Sequence, residues 1–162
     1  MPERDRHRPE STNLRSPAFL GATAALAALV VGCGGGSSAL THAQLVSKAN
    51  AICSAKNTQV AALGRATTVP QLQRVLSRGI SIAEQADAKL RALKPPASDA
   101  AAFQATLALD AQTLALDRQA LQAASSGNLA KFRQLIVQAT SLSSQARTKA
   151  AQLGLSTCGQ TG

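Results

Sequence analysis

Three cysteines, Cys33, Cys53 and Cys158, are the most reactive groups in this 162-residue chain. A thiol can act as a nucleophile, a metal ligand, a disulfide partner or an acyl attachment point, and its surroundings decide which. Two lone cysteines downstream of Cys33, with neither a CxxC pair nor a histidine pair, fall short of the four ligands of a tetrahedral metal site. His42 is the one histidine after residue 33, and it reads as an exposed residue in the first turn of a helix. There is no Glu-x-x-His pair for a di-metal bundle site, no CxxCH for haem, and no glycine-rich loop between strand and helix for phosphate. Serines such as Ser47, Ser77 and Ser143 are plentiful, but a nucleophile needs a base in reach and a third group to orient that base. The reading assigns no catalytic residue, no metal and no cofactor, and expects no enzyme.

One constellation has the right types at the right spacing for ligand binding. At 100° per residue, Leu107, Leu114 and Leu121 form one stripe of a helix and Leu109 and Leu116 another. The sector between them holds Thr106, Asp110, Thr113 and Asp117. The two carboxylates are seven residues apart and so share a face turned toward the core or a helix seam. Lys56 falls on the same face of an earlier helix as Leu45, Ile52 and Leu63, at a depth comparable to both aspartates. Two uses of this set stay open. Either the aspartates border the core and bond to water, threonine hydroxyls or a neighbouring cation, or they line a polar pocket for a small cationic or hydroxylated ligand. Alanine-rich seams favour tight packing over a roomy apolar pocket.

Proline and glycine divide the elements that carry these residues into four helical segments. The first, about 41–65, opens on Thr41 and Gln44 at capping-box spacing. The second, about 69–94, opens on Thr68 and Gln71 with Pro70 in its first turn and stops at Pro95-Pro96. Ser98 is the expected cap of the third, about 98–126, and Asn128 that of the fourth, about 128–153. Asp87 and Arg91, at i and i+4, read as a local helix-supporting pair worth about 0.3–0.5 kcal/mol. No stretch alternates with a period of two for long enough to make a strand. The expected fold is all-α, an antiparallel, up-down-up-down four-helix bundle over residues 41–162.

Ahead of that domain, residues 1–17 are polar and arginine-bearing, and residues 18–32 form an apolar run that ends at Cys33 and "GGGSS". This is the layout of an export signal. At 1.5 Å per residue the run reaches only about 22 Å, short of a bilayer core of about 30 Å. The residues Val30-Val31-Gly32-Cys33 resemble the lipobox of bacterial lipoprotein precursors. The resemblance implies that residues 1–32 are a signal peptide removed by signal peptidase II. It also implies that the Cys33 thiol is diacylated, and that residues 33–40 link the lipid to the folded domain. Two acyl chains suffice for stable anchoring.

Setting Cys33 aside leaves Cys53 and Cys158 as an even pair in a protein expected outside the reducing cytosol. A disulfide is expected in preference to two free thiols. Closing a loop of about 105 residues carries an entropic stabilisation of about 4.7 kcal/mol.

The composition is 45% hydrophobic but 2% aromatic, the mixture of helices that pack through small side chains. Before Cys33, four arginines face three acids; from Cys33 onward, thirteen basic residues face five acids. The basic excess belongs to the folded domain, and anionic lipid headgroups or acidic wall polymers are the expected partners. Scattered cations without aromatic residues between them argue against nucleic acid.

"ANAICSAKN", "LKPPASDAA" and "LGLSTCG" resemble a group of small exported actinobacterial proteins over about residues 45–162. The shared motifs are cap, turn and cysteine signals, so the resemblance supports the helical fold and the cysteine pair and implies no activity. The expected function is that of a lipid-anchored interaction module on the outer face of the cytoplasmic membrane. A ligand-binding lipoprotein using the Lys56, Asp110 and Asp117 face is the alternative.

Overall fold

A computed structural model of the chain describes residues 38–160. The expected leader over residues 1–32, the lipidation site at Cys33 and the linker as far as residue 37 lie outside the described residues. The described chain forms four helices: α1 (His42–Ala61), α2 (Val69–Arg91), α3 (Ala97–Ser125) and α4 (Leu129–Gln152).

Local chemistry sets the helix starts. At α1, the Thr41 hydroxyl accepts from the Gln44 N–H at 3.2 Å, and the Gln44 side chain accepts from the Thr41 N–H at 3.0 Å, which completes the capping box. Thr68 accepts from the Gln71 N–H, with Pro70 in the first turn of α2, where its missing N–H leaves no bond unmade. Asn128 accepts from the Lys131 N–H at 3.0 Å.

The start of α3 corrects the expectation. Pro96 is the cap residue and offers no side-chain acceptor, while Ser98 lies inside the helix with its hydroxyl on Asp99 Oδ1 at 3.2 Å. Helical conformation begins directly after the second proline of Pro95-Pro96, so the helix starts before Ser98 can cap it. Asp99 in the first turn supplies the negative charge that a helix amino terminus favours. At the other end of α1 the helix stops at Ala61, ahead of the expected end near residue 65, because the chain turns at Gly64, whose φ of +70° disfavours other residues.

The helices alternate in direction. One buried cluster joins Leu45, Ala49 and Cys53 near the start of α1, Leu90 at the end of α2, Phe103 and Leu107 near the start of α3, and Ala150 at the end of α4. Only an up-down-up-down arrangement brings those ends together. A smaller cluster of Ala120, Ala123 and Leu135 joins the end of α3 to the start of α4 at the opposite end.

Beyond α4 the tail folds back onto α1. Gly154 takes a φ of +76° and lets the chain reverse, which buries Leu155 in the larger cluster. Cys158 bonds to Cys53 with a Cα–Cα separation of 4.9 Å, so the expected disulfide is present. Asn50 and Asn57 hold the tail on either side of it. The Thr157 N–H donates to Asn50 Oδ1 at 3.0 Å, the Asn50 amide donates to the Gly154 carbonyl at 3.3 Å, and the Asn57 amide donates to the Thr157 carbonyl at 3.1 Å. Ordered contact starts before the first cap, since the Leu40 N–H donates to the Lys94 carbonyl at 2.8 Å.

Candidate functional site

Between the two apolar clusters the helices do not close on each other. Two adjoining hollows, of about 280 and 220 Å³, share Lys56, Asp110, Ser143 and Cys158 in their walls. Each element contributes to this chamber: α1 brings Lys56, α2 brings Asp87, α3 brings Thr106, Asp110, Thr113 and Asp117, α4 brings Ser143 and Arg147, and the tail brings the disulfide. The alanines of the seam pack closely, as expected: Ala146 and Ala150 of α4 and Ala86 of α2 are buried. Ala83 on α2 and Ala146 and Ala150 on α4 line the chamber, where the longer polar side chains of Lys56, Asp110 and Arg147 border the open space.

The two threonines are turned inward with their protons already used. Thr106 is buried and its hydroxyl donates to the Ala102 carbonyl at 3.0 Å, and the Thr113 hydroxyl donates to the Leu109 carbonyl at 2.9 Å. Each hydroxyl keeps its capacity to accept, and both threonines stand in the chamber walls with the carboxylates.

Both aspartates on α3 are half-buried. Burial pushes the Asp110 carboxyl above its usual range; Lys56 opposes that shift, Asp87 adds to it and Arg91 opposes it. Burial alone raises Asp117. Among the described residues, neither carboxylate accepts a hydrogen bond or enters a direct ion pair, so Lys56 acts on Asp110 across the chamber without closing it. Lys56, Asp110 and Asp117 thus line one hollow, the smaller of the two, while Asp117 also reaches a second cleft between α1 and α2 beside Leu63 and Ile80.

Sequence reasoning did not place Asp87 and Arg147 at this site. Asp87 forms the expected pair with Arg91 at 2.7 Å, but that pair is more than a local helix contact. Arg91 also donates to the Leu107 carbonyl of α3 at 3.1 Å, and Asp87 Oδ1 is buried with no hydrogen-bond partner among the described residues. The i, i+4 spacing shows the pair but not which helix it faces. Asn50 and Asn57 also went unread, although their spacing of three and four residues from Cys53 places all three on one face of α1. His42 is exposed as expected, and its Nδ1 lies 2.7 Å from Asp99 Oδ2, which ties the start of α1 to the start of α3.

Among the described residues, no helix is long and apolar enough to cross a membrane and no grouping of side chains suits a metal ion. No protein-family model, curated protein or solved structure matches the chain.

Proposed function

We propose that this protein is a lipid-anchored module of the cell envelope, tethered through Cys33 to the outer face of the cytoplasmic membrane and acting by binding rather than by catalysis. The observation that carries the reading is the Cys53–Cys158 bond. It uses both downstream cysteines and leaves Cys33 single, at the end of an apolar run too short to span a bilayer comfortably. Intact mass analysis of the mature protein from membranes tests this. The expected chain begins at a diacylated Cys33, and a retained leader or a free Cys33 thiol would overturn the tether.

The basic excess supports an anionic neighbour. Arg65, Arg74 and Arg78 line a cleft of about 310 Å³ with no acidic side chain in its wall. Anionic headgroups or wall polymers match that charge, and binding to them weakens as salt rises.

The chamber favours a second reading, a ligand-binding lipoprotein. It gathers half-buried ionisable groups of both signs in one hollow, with the Asp110 and Asp117 carboxyls raised by burial, and such a gathering is a candidate binding site. A thermal-shift screen across small envelope solutes tests it, because a ligand of the folded state raises Tm by mass action.

A further inference from the structure

The chamber's charge changes sign along its length. In the smaller hollow Asp87, Asp110 and Asp117 face Lys56 alone, whereas in the larger one Lys56 and Arg147 face Asp110 alone. We propose that the chamber binds a small basic amino acid: a molecule with one carboxylate, one ammonium beside it and a second cationic group at the end of a short chain. The proposal rests on the ligand-binding reading above and names the ligand class.

The charges of such a ligand meet groups with acceptor or donor capacity to spare, although Asp87 Oδ2 is already paired with Arg91. Asp110 accepts no hydrogen bond among the described residues, and Asp87 Oδ1 is buried and unpartnered. Leaving the Asp87 Oδ1 atom dry and unpaired costs free energy, and an ammonium with three donors can satisfy it together with the half-buried Asp110. The hydroxyl oxygens of Thr113 and Ser143 stand in the same wall. A carboxylate adjacent to that ammonium falls toward Lys56 and Arg147, where Arg offers a two-pronged donor.

Asp117 supplies the third contact. It lies two helical turns from Asp110, about 10 Å along the axis, so one ammonium cannot serve both. A second cation carried on a flexible chain can.

Other ligand classes fit less well. A polyol would use the hydroxyls but leave the separated charges unmatched. A quaternary ammonium finds no aromatic face, since no aromatic residue lines either hollow.

The test uses the full chain in detergent and four probes of similar length, with affinities measured by calorimetry. Lysine carries all three groups, norleucine lacks the distal cation, lysinamide lacks the carboxylate, and 6-aminohexanoate lacks the ammonium beside it. Lysine is expected to bind tightest, with each deletion weakening binding about tenfold or more. Asp117→Asn should erase the preference for lysine over norleucine, and Lys56→Met the preference for lysine over lysinamide. Thermal melts of both variants establish that they are folded.

Equal binding of the four probes, or binding of none, overturns the assignment. If none binds while another solute in the envelope screen raises Tm, the basic amino acid falls and the ligand-binding reading stands. If no solute raises Tm, both fall.

Discussion

The two ends of the bundle are built differently. At the end where α1 begins, ties between distant parts of the chain converge. The Cys53–Cys158 bond, the Asn50 and Asn57 amides on the tail, the His42–Asp99 pair and the Leu40–Lys94 bond all surround a core that includes Leu45, Phe103 and Leu107. At the opposite end the buried cluster is Ala120, Ala123 and Leu135. There the Gln73 amide of α2 donates to the Ala124 carbonyl of α3 at 3.2 Å, and nearer the middle of the pair Arg118 of α3 donates to Glu84 of α2 at 2.7 and 2.9 Å in a solvent-exposed ion pair. Val69 and Leu129 are exposed at that end, and the arginine cleft opens there. Local opening follows the density of buried contacts, so the second end is the one able to adjust. The chamber lies between the fixed end and the adjustable one, so one of its walls is held more firmly than the other.

The largest way to break this contrast is to cut the disulfide. Cys158→Ser should lower unfolding stability by about 3–5 kcal/mol, the range for closing so long a loop. Urea denaturation under non-reducing conditions measures it, and hydrogen exchange should show protection near Asn50 falling toward that near Ala123. A variant as stable as the parent would mean that the packed core alone fixes that end.

Core truncation sharpens the comparison next. Phe103→Ala should cost about 3–5 kcal/mol, whereas Leu135→Ala should sit near the lower limit of its class, about 2 kcal/mol, because its cluster is small and the partly buried Leu116, Phe132 and Ile136 beside it can close around the lost volume. Equal losses in chemical denaturation would make the two ends equivalent.

The chamber itself gives a pH signature. Burial raises the Asp110 and Asp117 carboxyls, so the folded state holds those protons more tightly than the unfolded state. Their contribution is fully present below the ordinary carboxylate range and is lost as pH rises through the raised folded values. Asp110→Asn and Asp117→Asn should therefore each raise Tm near neutral pH and match the parent in acid. A gain in stability with a loss of binding is the trade-off expected of a functional site. A lowered Tm at neutral pH would instead mark the carboxylates as structural.

The smallest effect is expected at the His42–Asp99 pair. His42 is more than half exposed, and solvent screens the contact, so His42→Ala should change stability by less than about 1 kcal/mol. A larger loss would show that this pair, and not the disulfide, organises the fixed end.

Much of this architecture was legible before any coordinates. Thr41 with Gln44, Thr68 with Pro70 and Asn128 set helix starts through bonds made within one turn, and such bonds are written in adjacent residues. The cysteine pair was legible by number, since two cysteines remain once Cys33 is set aside. The face carrying Asp110 and Asp117 followed from helical period alone, because residues seven apart return to the same side. Ser98 misled for the opposite reason. Its spacing suits a cap, but the prolines before it had already fixed where the helix starts.

What no single helix could reveal was what each face would meet. The sequence determined four helices, their polar and apolar stripes, the two cysteines able to bond and the basic character of the domain, all of which depend on local spacing or composition. Only the tertiary structure decided that Asn50 and Asn57 would grip the returning tail. It alone turned Asp87 and Arg147 toward the same space as Lys56 and Asp110, and left a polar hollow beside a closely packed alanine seam. Those outcomes depend on the rotation and separation of neighbouring helices, which arise from packing of the whole core and are not encoded in the period of any one of them.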